Sequence, residues 1–315
     1  MKLNHKLMEN NITIQDRNVL INFLKKNDVL TQSKNTRLFE KEWSKWLGVK
    51  YSVFVNSGSS SNLLSIATLK LITKNKKKNE IIVPPLTWSS DISSLLHYNY
   101  KPIFLDINLK TLSLDNDQII KKINNKTAAV FLTHVQGFNG LSKKLLDFLK
   151  KKKIPLIEDV CESHGATLNN KKLGTYGLMS NFSFYYAHHL TTIEGGMIST
   201  NDKRIYQILL SLRSHGLVRE LRNKKLENFY IKKYKDLSKS FIFLYPAYNL
   251  RNTEIGAVLG RNQIKRLSKN IRLRNENLYF FLKNLNNKFY YTDFDLDGCS
   301  NYAFPLILKS KSFKN

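Results

Sequence analysis

Apolar positions along this chain follow two alternating rhythms. TRLFEKEWSKWL (36–47) has helical spacing and ends at Gly48, a helix stop. Residues 14–27, 87–97 and 116–124, and the stretch LSKKLLDFLKKKK, carry the same helical pattern. SSSNLLSIATLKLI reads as a helix opened by serines, which favour N-caps. Between these lie short apolar runs, YSVFV, EIIV, KPIFLDI, TAAVFLTHV and IPLIEDV, which read as buried strands. Strands separated by helices predict βαβ units: an α/β fold with a mainly parallel sheet covered on both faces. Ligands bind such sheets beyond the carboxyl ends of the strands. Ser57 to Ser61, Trp88, His134 and Asp159 to Glu162 are all expected there. From about residue 255 the pattern becomes one long amphipathic helix, EIGAVLGRNQIKRLSKNIRLRNENLYFFLKNL, followed by a strand, YAFPLILK.

Composition narrows this picture. No apolar run reaches the roughly 18 residues of a membrane span, and MKLNHKLMENNITIQD lacks the apolar core of a signal peptide. With Cys161 and Cys299 as its two cysteines, the chain has too few for a disulfide framework or for an iron–sulfur cluster. A cytoplasmic protein is expected. The formal charge of +27 is spread along the whole chain without interleaved stacking aromatics, so it reads as a solvated surface and not as a nucleic-acid interface. Such a field still attracts anionic substrates.

Three segments carry candidate chemistry. NSGSSSN (56–62) leads from a strand through Gly58 into a helix start, where free N–H groups and hydroxyls can hold a phosphate. Ser/Gly turns also open many ordinary helices. LIEDVCESHGA ends a strand at Asp159, a carboxylate able to pair with a protonated ring nitrogen, with Glu162 three residues on. A polar strand end capping the next turn is the alternative. NFSFYYAHHLTTIEGGMIST (181–200) sets His188 and His189 before a Glu–Gly–Gly turn. Adjacent strand residues face opposite ways, which makes a poor metal site, but one histidine could serve as a base.

Together with TQSKNTRLFEKEW, VPPLTW, FLDINLKTLSLD, THVQGF, KLGTYG, LRSHG and YNLRNTEIGAVLGRNQIKRL, these segments resemble the DegT/DnrJ/StrS family of sugar aminotransferases, from about residue 10 onward. The resemblance implies the type I fold of pyridoxal-phosphate-dependent transferases, with a seven-stranded sheet. Residues 1–255 would form the large cofactor-binding domain. Residues 256–315 would begin a small C-terminal α+β domain, which in the family runs on well past the strand matching YAFPLILK. Gly58 and Ser59 would cradle the cofactor phosphate, with Ser183 adding a hydroxyl. Trp88 would stack on the pyridine ring, Asp159 would pair with its nitrogen, and Glu162 would face its oxygen. Asn249 would reach the phosphate of a neighbouring subunit, which implies a homodimer with shared sites. His215 and Arg251 would assist with substrate.

One departure redirects the chemistry. The family's aminotransferases carry Lys six residues before the Glu of the EGG turn, and here that position is His188, with no Lys between Lys172 and Lys203. Without that amine the cofactor cannot be linked covalently to the protein. FSFYYAHHLTTIEGG resembles the branch of 3-dehydratases that act on nucleotide-linked 4-keto-6-deoxy sugars, GDP-linked in the nearest resemblance, on routes to surface polysaccharide such as O-antigen. That branch would use pyridoxamine 5'-phosphate, restored by L-glutamate, with His188 as the base. A sister branch uses a [2Fe–2S] cluster held by cysteines after the RSHG-like region, and residues 217–240 contain none. Two alternatives remain at this level: a nucleotide-sugar aminotransferase using glutamate, and a truncated inactive homologue acting as a partner subunit.

Overall fold

The computed structural model describes residues 10–310; the first nine residues of the stretch searched for a signal peptide, and residues 311–315, lie outside the described residues. Two helices lead in, α1 (Ile14–Leu24) and α2 (Lys34–Leu47). Thr13 and Asp16 form a reciprocal capping box at the start of α1. Gly48, with φ 95°, ends α2 in the left-handed conformation that glycine adopts without steric cost.

Strands and helices then alternate: β1 (Tyr51–Val55), α3 (Gly58–Ile72), β2 (Glu80–Val83), α4 (Ser89–His97), β3 (Lys101–Phe104), α5 (Asn116–Lys122), β4 (Thr127–Thr133), α6 (Lys143–Lys152) and β5 (Leu156–Asp159). A small hairpin follows, β6 (Thr167–Leu168) with β7 (Lys171–Lys172). The chain re-enters the sheet with β8 (Met179–Ser183) and β9 (Gly196–Thr200). Helices α7 (Lys203–Arg213), α8 (Lys224–Lys233) and α9 (Glu254–Asn284) complete the described elements.

The sheet has seven strands in the order β1-β9-β8-β5-β4-β2-β3, as expected. Strand β9 is antiparallel to both of its neighbours, and the other pairs are parallel. Six strands therefore end on one edge. Alternation along β1 shows how the two layers form: Phe54 points into one apolar core with Phe39, Trp43 and Phe182, whereas Val53 and Val55 point into the other with Leu64, Ile81 and Leu209.

A buried charge cluster ties the lead-in helices to the sheet. Glu40 of α2 accepts the Phe54 amide of β1 at 3.0 Å and Arg213 Nη1 of α7 at 2.7 Å, while Arg222 Nη1 reaches its other oxygen at 2.7 Å. Beyond it, Arg266 pairs with Asp16, and Arg261 pairs with Glu42, which docks α9 on α1 and α2.

The expected strand at YAFPLILK does not form among the described residues. That run makes one antiparallel bridge, Tyr290 to Leu308, and leaves Phe304, Leu306 and Leu308 exposed. Pro305 has no N–H to offer a ladder, and pairing with the neighbouring segment stops at two backbone bonds, Tyr291 N to Ile307 O (2.8 Å) and Lys309 N to Phe289 O (2.9 Å). The segment before it packs on the loop after β4 instead. Phe294 stacks on Phe138 at 5.2 Å, and the amides of Ser300 and Tyr302 donate to the carbonyls of Gly137 (2.9 Å) and Gln136 (3.1 Å). The hairpin, β9, α7 and α8 were not foreseen from periodicity. No helix among the described residues is long and apolar enough to cross a membrane.

Replacing Glu40 by Ala is expected to cost about 3–5 kcal/mol, because Arg213 would remain buried without its partner. Urea unfolding measures this, and a second change, Arg213→Met, should recover much of the loss.

Candidate active site

A cavity of about 500 Å³ opens where the strands end. Its walls include Gly58, Ser59, Trp88, Asp159, Glu162, Ser183 and His188, so seven of the residues singled out in the sequence meet in one place. A shallower groove of about 440 Å³ at the other end of β2 and β3 holds surface lysine and amide side chains, with no buried group directed into it.

Helix α3 supplies one pole. Ser57 caps it by accepting the Ser60 amide at 3.0 Å, which leaves the first amides of the helix, at Gly58 and Ser59, without intrahelical partners. The helix start lies directly on the end of β8: a Cβ at residue 58 would stand 2.6 Å from Ser183 Cβ. Only glycine allows this approach, and it sets the Ser183 hydroxyl beside the free amides. Together they form an anion-binding corner favoured by the helix dipole.

Carboxylates supply the opposite pole. Asp159, buried at the end of β5, accepts the Cys161 amide on Oδ1 at 2.8 Å and Asn62 Nδ2 on Oδ2 at 3.0 Å. Glu162 accepts the Gln136 amide at 2.8 Å. Burial pushes Glu162 above the ordinary carboxyl range; the Gln136 amide opposes this and the Asp159 charge adds to it. Trp88, 69% exposed at the N-cap of α4, presents an open indole to the cavity.

His188 sits in a loop folded tightly between β8 and β9. Phe184 N donates to Gly195 O at 2.8 Å, Thr192 N donates to Phe184 O at 2.9 Å, and Asn252 Nδ2 donates to Glu194 O at 2.9 Å. The His188 ring lies 5.2 Å from the Tyr302 ring and 5.9 Å from the buried His164 ring, and its Nδ1 has no hydrogen-bond partner. Burial first, and the Arg274 charge second, hold its pKa down at about 4. Neutral imidazole is therefore the form present at physiological pH.

Some expectations fall outside the cavity. His134 is a core residue, with Nε2 3.3 Å from Glu158 and Nδ1 accepting the Gly140 amide at 3.1 Å. It is buried because Glu158 needs it: that carboxylate gathers the amides of Gly174, Tyr176 and Gly177. Asn249 is exposed and accepts Arg251 Nε at 3.0 Å, and His215 is also exposed. None of these three lines the cavity. Conversely, Tyr302, Gln136, Asn62 and Tyr185 line it without having been singled out. Asn62 closes the NSGSSSN motif but was given no role of its own there. Tyr302 carries no local signal.

The donor set fits a phosphorylated pyridine. It offers an anion corner, a carboxylate for a ring nitrogen, an indole face and an imidazole, and no lysine lines the cavity.

The model of the DegT/DnrJ/EryC1/StrS aminotransferase family matches residues 11–314. GDP-4-keto-6-deoxy-D-mannose 3-dehydratase of Escherichia coli O55:H7 is 37% identical over 287 residues, covering 90% of this chain and 74% of that protein. A variant of GDP-4-keto-6-deoxymannose-3-dehydratase with bound GDP-perosamine superposes with a TM-score of 0.89 at 32% identity, over 98% of this chain and 81% of that one. The same enzyme with a trapped PLP–glutamate geminal diamine gives 0.88 at 32% identity, over 98% and 81%.

His164 and His189 share the burial of His188; His189 is held at about 3 and His164 also lies well below its ordinary value, burial being the leading cause in both. Depressed histidines contribute stability above their unfolded pKa of about 6.5 that is lost as pH falls through the folded values. Melting temperature should therefore drop as pH falls from about 6.5 toward 4, and His188→Asn should make that dependence shallower. An unchanged slope would show that His188 is not buried as a neutral ring.

Proposed function

Since this chain belongs to the DegT/DnrJ/EryC1/StrS aminotransferase family and carries its fold, we propose that it is a pyridoxamine-phosphate-dependent 3-dehydratase. Its substrate is a nucleotide-linked 4-keto-6-deoxy sugar, GDP-linked, and L-glutamate is the amino donor. The observation that carries this reading is His188: a neutral, buried imidazole on the wall of a cavity that no lysine lines.

When bound, the cofactor supplies an amine for the C4 ketone and a ring that takes up electrons. Gly58, Ser59 and Ser183 would hold its phosphate, and Trp88 would offer its indole to the ring. Asp159 would keep the ring nitrogen protonated, and Glu162, its carboxyl raised by burial, would face the ring oxygen. His188 accepts the proton whose removal lets the C3 hydroxyl depart. A histidine with a depressed pKa is ready for that step because it holds no proton beforehand. A lysine at this position would compete for the cofactor covalently, whereas imidazole moves the proton and leaves the cofactor free.

Overall the sugar loses its 3-hydroxyl oxygen and glutamate becomes 2-oxoglutarate with release of ammonia, so the two electrons gained by the sugar come from glutamate. Asn249, with Arg251 and His215, faces outward and is free to complete the site of a second copy in a homodimer. Residues 256–315 begin the smaller domain, and the enzyme works in the cytoplasm.

Given a GDP-linked 4-keto-6-deoxy sugar, pyridoxal phosphate and glutamate, the protein should release ammonia and a 3-deoxy product, read by mass spectrometry. A 4-amino sugar without ammonia would identify a transaminase instead. His188→Lys should trap pyridoxal phosphate covalently, seen as an added mass after borohydride reduction, and should lower 3-deoxygenation by at least about 100-fold, the usual contribution of a general base.

A further inference from the structure

Asp91 of α4 is fully buried, close to Asp159, and the reaction outlined above makes no use of it. Its Oδ1 accepts Asn62 Nδ2 at 2.5 Å, and the same amide nitrogen reaches Asp159 Oδ2 at 3.0 Å. Asn62 therefore bridges two carboxyl groups. On the other side, the hydroxyls of Thr87 and Thr133 both meet Asp91 Oδ2, Thr133 at 2.8 Å, and stand 2.8 Å from each other.

Those three oxygens form a closed triangle. Each side needs one hydrogen, and each hydroxyl brings one. The third is available from Asp91 itself if Oδ2 is protonated. An ionised Asp91 would leave one pair of oxygens in contact with no hydrogen between them.

Electrostatics lead to the same state. Among the described residues, neither Asp91 nor Asp159 forms an ion pair with Lys, Arg or His. The titratable groups facing Asp91 are Asp159 from β5 and Cys161 just after it, while Asn62 from α3, Thr87 and Thr133 from β4 are neutral. Burial, and then the Asp159 charge, push Asp91 well above the ordinary carboxyl range. Two adjacent buried carboxylates cannot both ionise.

We propose that Asp91 is a positioning residue that holds a proton on Oδ2, so that the Asp91–Asp159 pair carries one proton and one negative charge. Asn62 clamps the charged member, Asp159, toward the cavity. The pair thus presents a single, oriented charge to a ring nitrogen, at a site that no cation compensates. This role rests on the reading of Asp159 as the partner of that nitrogen.

The test begins with the unmodified full chain, its aspartate carboxyl carbons labelled with ¹³C. One carboxyl carbon should keep the shift of a neutral acid near neutral pH, and Asp91→Asn should remove it. Finding every aspartate ionised, or the signal unchanged in the variant, would overturn the proposal. Because Asp91 has a raised folded pKa, the stability it contributes is present below about 3.9 and is lost as pH rises toward the folded value. Asp91→Asn should therefore gain melting temperature relative to the natural chain as pH rises, and a constant difference would count against the proposal. If the variant does not fold, the titration of the natural chain still decides.

Pyridoxal phosphate, followed by its absorbance, should bind Asp91→Asn about tenfold more tightly than Asp91→Leu, which removes the partner of Asn62. Equal affinities would overturn the positioning role. A neutral acid in a chain that binds no pyridoxal phosphate at all would instead overturn the reading of Asp159.

Discussion

Helix α3 meets the end of β8 at a distance that residue 58 permits only as glycine, and the site is laid out around that contact. It places the unpaired amides of the helix start beside the Ser183 hydroxyl, at the edge where six strands end. Strand β9 makes the contact possible. By running antiparallel between β1 and β8, it joins the strand that leads into α3 to the strand that carries Ser183.

That corner shares the cavity with Asp159 and Glu162. His188, also on the cavity wall, is kept neutral by burial, and Arg274 reinforces the effect. A charged lysine in the same loop would bring a cation and a nucleophile together. Neutral imidazole brings no charge and no primary amine with which to form an imine.

The lower shell of the site is made of polar groups that hydrogen-bond one another inside the core, with Asn62 Oδ1 left unpartnered. Glu158 gathers three loop amides and His134. Asn62, Asp91, Thr87 and Thr133 support Asp159. Such networks are rigid when complete, because each unpaired member would bear the full cost of its desolvation. They let carboxylates end buried strands without distorting the sheet.

Periodicity along the chain was enough to find the helices and parallel strands up to β5, because burial of a strand or a helix face is written in the spacing of its own residues. Asp159 and His188 were also legible as candidates, the first from a strand end and the second from the family resemblance, and the structure places both on one cavity. Strand β9 was not legible: its run contains Gly, Ser and Thr, and its burial comes from the neighbours on either side. The expected strand at YAFPLILK failed for the converse reason, having the right residues but pairing through only a single bridge, Tyr290 to Leu308. Tyr302 reaches the cavity because Phe294 and Ser300 dock on the loop after β4, and Asp91 meets Asn62 and Asp159 because three elements converge. The sequence by itself determined the elements up to β5 and the candidate residues of the site. Only the tertiary structure decided which distant polar groups share a hydrogen or a charge, since that depends on contacts between residues far apart in the chain.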